Sequence, residues 1–124
     1  MSPYQVIDKA EKGISVTLFE KIAKQSGYSK ASIAGFLGLD VRTISNYKNQ
    51  KKNLTKTDAE HLLKLKELFE KGTEIFGTPE EFARWLGKSA YGLEGRVPEK
   101  LLQYISGIEL VHRELVRIEY GDFS

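Results

Sequence analysis

Between Arg42 and Lys48 the chain reads RTISNYK, which sets Arg42, Thr43, Ser45, Asn46 and Lys48 around one aliphatic residue, Ile44. The guanidinium fork of an arginine matches guanine O6 and N7, and a carboxamide matches adenine N6 and N7. Each such pair supplies about 1–3 kcal/mol of discrimination against a wrong base. Thr43, Ser45 and Lys48 suit phosphate oxygens equally well, which fixes position without reading sequence. Lys51 and Lys52 follow at once, and from Lys30 to Lys56 six bases stand against a single acid, Asp40. This is the equipment of a segment that reads a DNA groove; a solvated loop face is the alternative for Lys51 and Lys52.

Catalysis finds no comparable set. His61 and His112 stand far apart, without the i,i+3 or i,i+4 spacing of helical metal ligands. There is no Gly-x-Ser-x-Gly elbow, no phosphate-binding glycine loop and no dinucleotide fingerprint. Gly92-Leu93-Glu94-Gly95 follows no strand and reads as a plain loop. Glu80 and Glu81 open a helix, where acids complement the dipole, and are not an acid–base pair. No enzyme activity, cofactor or metal is expected.

The elements that must hold Arg42–Lys48 can be read on either side of it. Ser29 and Asp40 stand where their side chains can cap two short helices, Lys30–Leu37 and Val41–Asn49. Gly38 supplies the positive φ of a sharp turn between them. Tyr28 can staple onto Ile33, and Leu39 onto Ile44. Ala34 is small where the helices cross, and Ile33, Leu37, Leu39, Ile44 and Tyr47 form the inward set. That arrangement is a helix-turn-helix, whose second helix enters the major groove. An earlier helix over residues 17–25, with Leu18, Phe19, Ile22 and Ala23 on one face and Gly27 as its stop, buttresses the pair.

The rest of the chain is helical as well, so the fold class is all-α. Residues 1–13 are weakly patterned and fit either a helix or a strand. Thr57-Asp58-Ala59-Glu60 has capping-box spacing and opens a helix carrying Ala59, Leu62, Leu63, Leu65 and Phe69, with Gly72 as its stop. Glu60–Lys64 and Glu67–Lys71 are favourable i,i+4 pairs on it, and His61 is expected at its surface. Thr78-Pro79-Glu80-Glu81 is a second capping box, leading a helix lined by Phe82, Trp85 and Leu86. After a loop over residues 87–97, Pro98 opens a helix that Gly107 stops. A last one bears Ile108, Val111, Leu115 and Ile118 and ends at Gly121.

The length fits one medium domain or two small ones. The 124 residues are 40% hydrophobic and 29% charged, ordinary for a globular protein. With no cysteine, disulfides and thiolate metal sites are excluded. No apolar run is long enough to span a bilayer and the start lacks a signal peptide's apolar stretch, so a cytoplasmic location without membrane contact is expected. Residues 1–76 hold 13 Lys/Arg and 9 Asp/Glu, whereas residues 77–124 hold 6 and 8. The expected domains are therefore a basic DNA-binding half, 1–76, and a mildly acidic half of other purpose, 77–124.

In that second half, GTPEEFARWLG, a glycine loop, VPEKLLQYISG and a final helix ending in RIEYG resemble the toxin-binding domain of the Xre/MbcA/ParS antitoxins. The first half resembles the Xre-type DNA-binding domain that precedes it, and together the likeness runs from about Gly13 to Gly121. Its most specific parts are Arg42-Thr43-Ile44-Ser45, Trp85-Leu86 and Arg117–Gly121. The chain departs from the family in having Val97-Pro98 for the usual Thr-Pro and Lys88-Ser89-Ala90-Tyr91 for a Pro-Asn loop. Its recognition helix is also thinner in late bases, with Lys48 followed by Asn49.

The resemblance implies the antitoxin of a type II toxin–antitoxin pair, whose partner is a RES-domain toxin that attacks NAD⁺. It implies that the C-terminal half covers the toxin's cleft, and that the DNA-binding half represses the operon as a homodimer on double-stranded operator DNA, within a larger toxin–antitoxin complex. The toxin-binding candidates are then the last turn and tail, Arg117, Glu119, Tyr120, Gly121, Asp122, Phe123 and Ser124. Tyr and Phe are effective anchors in a cleft, and Asp122 suits a basic phosphate site. The alternative is that Tyr120 only closes the core. Two other classes compete with this reading. One is a free-standing phage-type repressor whose C-terminal half only dimerises, and the other a helical scaffold that binds no nucleic acid.

Overall fold

Local capping sets most of the helix boundaries. In the computed structural model, which describes residues 1–121, Ser2 caps α1 (Pro3–Lys12) with a reciprocal capping box to Gln5. The weakly patterned start is therefore a helix. Ser15 caps α2 (Val16–Ser26), and Gly27 ends it in the left-handed region. Ser29 caps α3 (Lys30–Phe36) through Ser32 N–H, and Asp40 caps α4 (Val41–Asn49) through Arg42 N–H at 2.8 Å. Next come α5 (Lys56–Phe76), α6 (Pro79–Leu86), 3-10 turns at Tyr91–Leu93 and Pro98–Leu101, and α7 (Ile105–Glu119). No strand occurs among the described residues.

Two compact units result, one over residues 1–67 and the other from Leu68 on, so that the division falls inside α5. In the first, α2, α3 and α4 pack on one another. Phe19, Ile22, Ala23, Ile33, Ala34 and Ile44 are buried between them, with Val6, Ala10, Ile14, Leu54 and the start of α5 completing the core. Leu39 and Tyr47 are half-buried. Tyr28 meets the edge of Phe36, with ring centroids 5.5 Å apart. Leu54 lies in the segment read as polar turn, yet it is buried and its N–H donates to Ile14 O at 2.9 Å.

In the second unit α7 packs on both 3-10 turns, and α6 packs on the second of them. Leu68, Phe69, Phe82, Leu86, Leu102, Ile108, Val111 and Leu115 are its buried centre. Trp85 is half-buried, stacked near Phe82 and Phe76 at centroid distances of 6.0 and 5.5 Å.

Five expectations are corrected here. The cap of α5 is Thr55, whose Oγ1 accepts from Asp58 N–H at 3.2 Å, because of the two nearby threonines it is the one three residues ahead of a free N–H. Gly72 does not stop α5, which continues to Phe76; it is glycine because a Cβ there would overlap the Phe82 ring. Gly107 likewise lies inside α7, pressed against the Leu101 carbonyl, and the segment from Pro98 is only a 3-10 turn. His61 is buried, 9% exposed, on the inward side of α5. At Thr78 the hydroxyl does cap Glu81 N–H, but the Glu81 carboxylate goes to Arg84 at 2.7 Å and does not return to the cap.

Candidate functional site

The Asp40 cap fixes the first turn of α4, and the helical repeat then decides which side chains turn outward. Ile44 is the single buried residue of this helix, and Thr43 and Tyr47 are half-buried beside it. Arg42, Ser45, Asn46 and Lys48 are exposed, so the structure brings the expected readers together on one accessible face. Asp40 itself is occupied as a cap.

The two ends that frame this face use the same hydrogen bonds. At the end of α3, Gly38 N–H donates to Gly35 O at 3.0 Å and Leu39 N–H to Ala34 O at 2.9 Å. At the end of α4, Lys51 N–H donates to Lys48 O at 3.2 Å and Lys52 N–H to Tyr47 O at 2.8 Å. Both are Schellman closures, which place one residue in the left-handed region. At α3 that residue is Gly38, with φ 74°; at α4 it is Lys51, with φ 54°. Lys51 and Lys52 are thus exposed on an ordered helix end.

Lys48 has a partner that the sequence did not suggest. Its Nζ donates to both carboxylate oxygens of Glu20 on α2, at 3.0 and 3.2 Å, and Lys30 at the start of α3 donates to Glu20 Oε2 at 3.1 Å. Hydrogen bonds from Lys48 first and Lys30 second hold the Glu20 carboxyl below its ordinary pKa. Glu20 lies 10 and 28 residues from these partners, and only the packing of α2 on α3 and α4 brings them together.

In the second unit the tail candidates fall into three groups. Arg117 is half-buried and donates to Gly92 O at 2.9 Å and to the Glu114 carboxylate. Glu119 accepts from Lys71 Nζ at 2.8 Å on both oxygens, which raises the lysine's pKa. That contact stands where Glu67 was the expected partner of Lys71. Tyr120 is 80% exposed and does not close the core, and Gly121 ends α7 with φ 72°. Asp122, Phe123 and Ser124 lie outside the described residues.

Glu114 was missed altogether. It is 9% exposed, packed under Gly92, where any Cβ would overlap its carboxylate. Its spacing of three from Arg117, on the stripe of Val111 and Leu115, was the available signal. Nearby, Gly92, Leu93, Glu94, Arg96, Leu101 and Leu110 line an open groove of about 330 Å³, and Tyr91 beside it is 92% exposed. Among the described residues no three His, Asp or Glu side chains are grouped to hold a metal ion. No helix there is long and apolar enough to cross a membrane.

Comparison with known proteins follows this division. Residues 5–65 match the antitoxin Xre-like helix-turn-helix domain, and residues 71–121 match the antitoxin Xre/MbcA/ParS C-terminal toxin-binding domain. The chain is 26% identical over 113 residues to an Antitoxin Xre of Photorhabdus laumondii, covering 90% of this chain and 76% of that protein. It is 24% identical over 120 residues to an Antitoxin Xre of Yersinia enterocolitica, covering 96% and 81%.

Proposed function

We propose that this chain, which carries the helix-turn-helix and toxin-binding domains of the Xre antitoxins in that order, neutralises a RES-domain toxin and represses its own operon. The observation that carries the reading is the presence of both domains on one short chain. A repressor that only dimerised would have no use for a toxin-binding domain.

On the DNA side, Arg42 and Asn46 are the base readers, and Thr43, Ser45, Lys51 and Lys52 hold phosphates. The exposure of Arg42, Ser45, Asn46, Lys51 and Lys52 supports these roles. One such unit reads one half-site, so a homodimer on a two-fold operator is the functional form, with half-sites about 34 Å apart. On the toxin side, Tyr120 to Ser124 enter the cleft. Arg117 and Glu119, tied to Gly92 and Lys71, fix the point from which that tail leaves α7. The toxin consumes NAD⁺ in the cytoplasm; this chain binds no cofactor and catalyses nothing.

Co-expression with a RES-domain toxin encoded beside it tests the proposal. A stable co-purifying complex and restored cellular NAD⁺ are expected. A toxin that still depletes NAD⁺ and purifies alone would overturn the assignment of partner.

A further inference from the structure

The carboxylate of Glu20 holds two ammonium groups, those of Lys30 and Lys48, of the kind that bind DNA phosphates. Lys30 is the first residue of α3, directly after the Ser29 cap. In a helix-turn-helix the first helix crosses the backbone while the second enters the groove, so Lys30 and Lys48 stand at the phosphate-facing margins of the unit. Glu20 takes a hydrogen bond from each, at 3.1 Å and 3.0 Å. The lysine side chains are 56% and 57% exposed and that of Glu20 26%, so a phosphate can approach the same ammonium groups from solvent.

We propose that Glu20 is an intramolecular competitor of phosphate, which withholds Lys30 and Lys48 from DNA and so lowers the affinity of each unit. This rests on the DNA-binding reading above. To engage both lysines, DNA must displace the carboxylate or settle beside its negative charge, and either route weakens binding. Sequence-independent affinity comes almost wholly from phosphate contacts, each adding about 0.9 to the slope of log K against log salt. With Glu20 in place the unit has fewer free cations than its sequence suggests. The base-reading face of Arg42 and Asn46 is untouched by the clasp. A single unit is thereby kept weak, and occupancy depends on pairing two of them.

The test is a titration of the full chain and of Glu20→Gln against two duplexes, one from upstream of its own coding region and one of random sequence, from about 50 to 200 mM salt. Glutamine keeps the size and an acceptor oxygen but removes the charge. Expected are a several-fold gain in affinity for both duplexes at low salt and a slope steeper by about one to two. In the triple variant Glu20→Gln with Lys30→Ala and Lys48→Ala, the gain should vanish relative to the lysine double variant. Unchanged or weakened binding by Glu20→Gln with the slope unmoved, while the parent chain binds, overturns this inference alone. So does a gain that survives in the triple variant. Should Glu20→Gln melt early, Glu20→Ala measured below its melting temperature decides by the same slope. A parent chain that binds neither duplex overturns the DNA-binding reading itself.

Discussion

Lys51 holds a backbone conformation that L side chains rarely adopt, at the position where α3 uses Gly38. The left-handed region costs a non-glycine residue about 1–2 kcal/mol, and glycine returns part of that through the freedom it loses on folding. Lys51→Gly is therefore expected to raise stability by about 0.5–1 kcal/mol in chemical denaturation. The same change removes an exposed cation that directly follows α4, so binding to random-sequence duplex should weaken and its salt slope fall by about one. A stability that falls would show that the Lys51 side chain supports the fold; affinity and slope that both stay put would remove it from the phosphate contacts.

At the scale of elements, α4 depends on its cap more than on burial, since only Ile44 of its nine residues is buried. Asp40→Ala leaves Arg42 N–H without its acceptor and is expected to cost about 1 kcal/mol of unfolding free energy, whereas Asp40→Asn should stay within about 0.5. Equal losses for both would mean that the charge of Asp40 matters and its cap does not. Caps of this kind are why α2, α3 and α4 were legible in the sequence: Ser29, Asp40, Gly27 and Gly38 act within four residues of themselves, and so do the outward positions of Arg42, Ser45 and Asn46. What escaped reading was decided at longer range. Gly72 and Gly107 look like helix stops, but each is glycine because another segment, Phe82 or the Leu101 carbonyl, comes too close for a Cβ. Glu20 and Glu114 gave little local sign of their partners, because the packing that brings the lysines and Gly92 to them is tertiary. At the start of α5 two threonines stand two residues apart, and it is Thr55 that accepts from Asp58 N–H.

At the scale of the whole molecule, the two units divide the work in a way that one truncation can separate. Tyr120 is 80% exposed, and the backbone N–H groups of Tyr120 and Gly121 donate to Val116 O at 3.1 Å and Ile118 O at 3.0 Å, at the very end of α7. Neither contributes to the buried centre of Phe82, Leu86, Leu102, Val111 and Leu115, and two terminal hydrogen bonds are together worth about 2 kcal/mol. The Lys71–Glu119 and Arg117–Gly92 contacts both precede the cut. Removing residues 120–124 should therefore leave unfolding free energy within about 2 kcal/mol of the full chain. Its titration against the upstream duplex should also be unchanged. Rescue of cells expressing the toxin, read as growth and NAD⁺ content, should be lost, because the residues proposed to enter the cleft are gone while those that hold α7 remain. If the shortened chain still protects those cells, neutralisation belongs to another surface of the second unit. The groove beside the exposed Tyr91, lined by Leu93, Arg96, Leu101 and Leu110, would then be the next place to substitute.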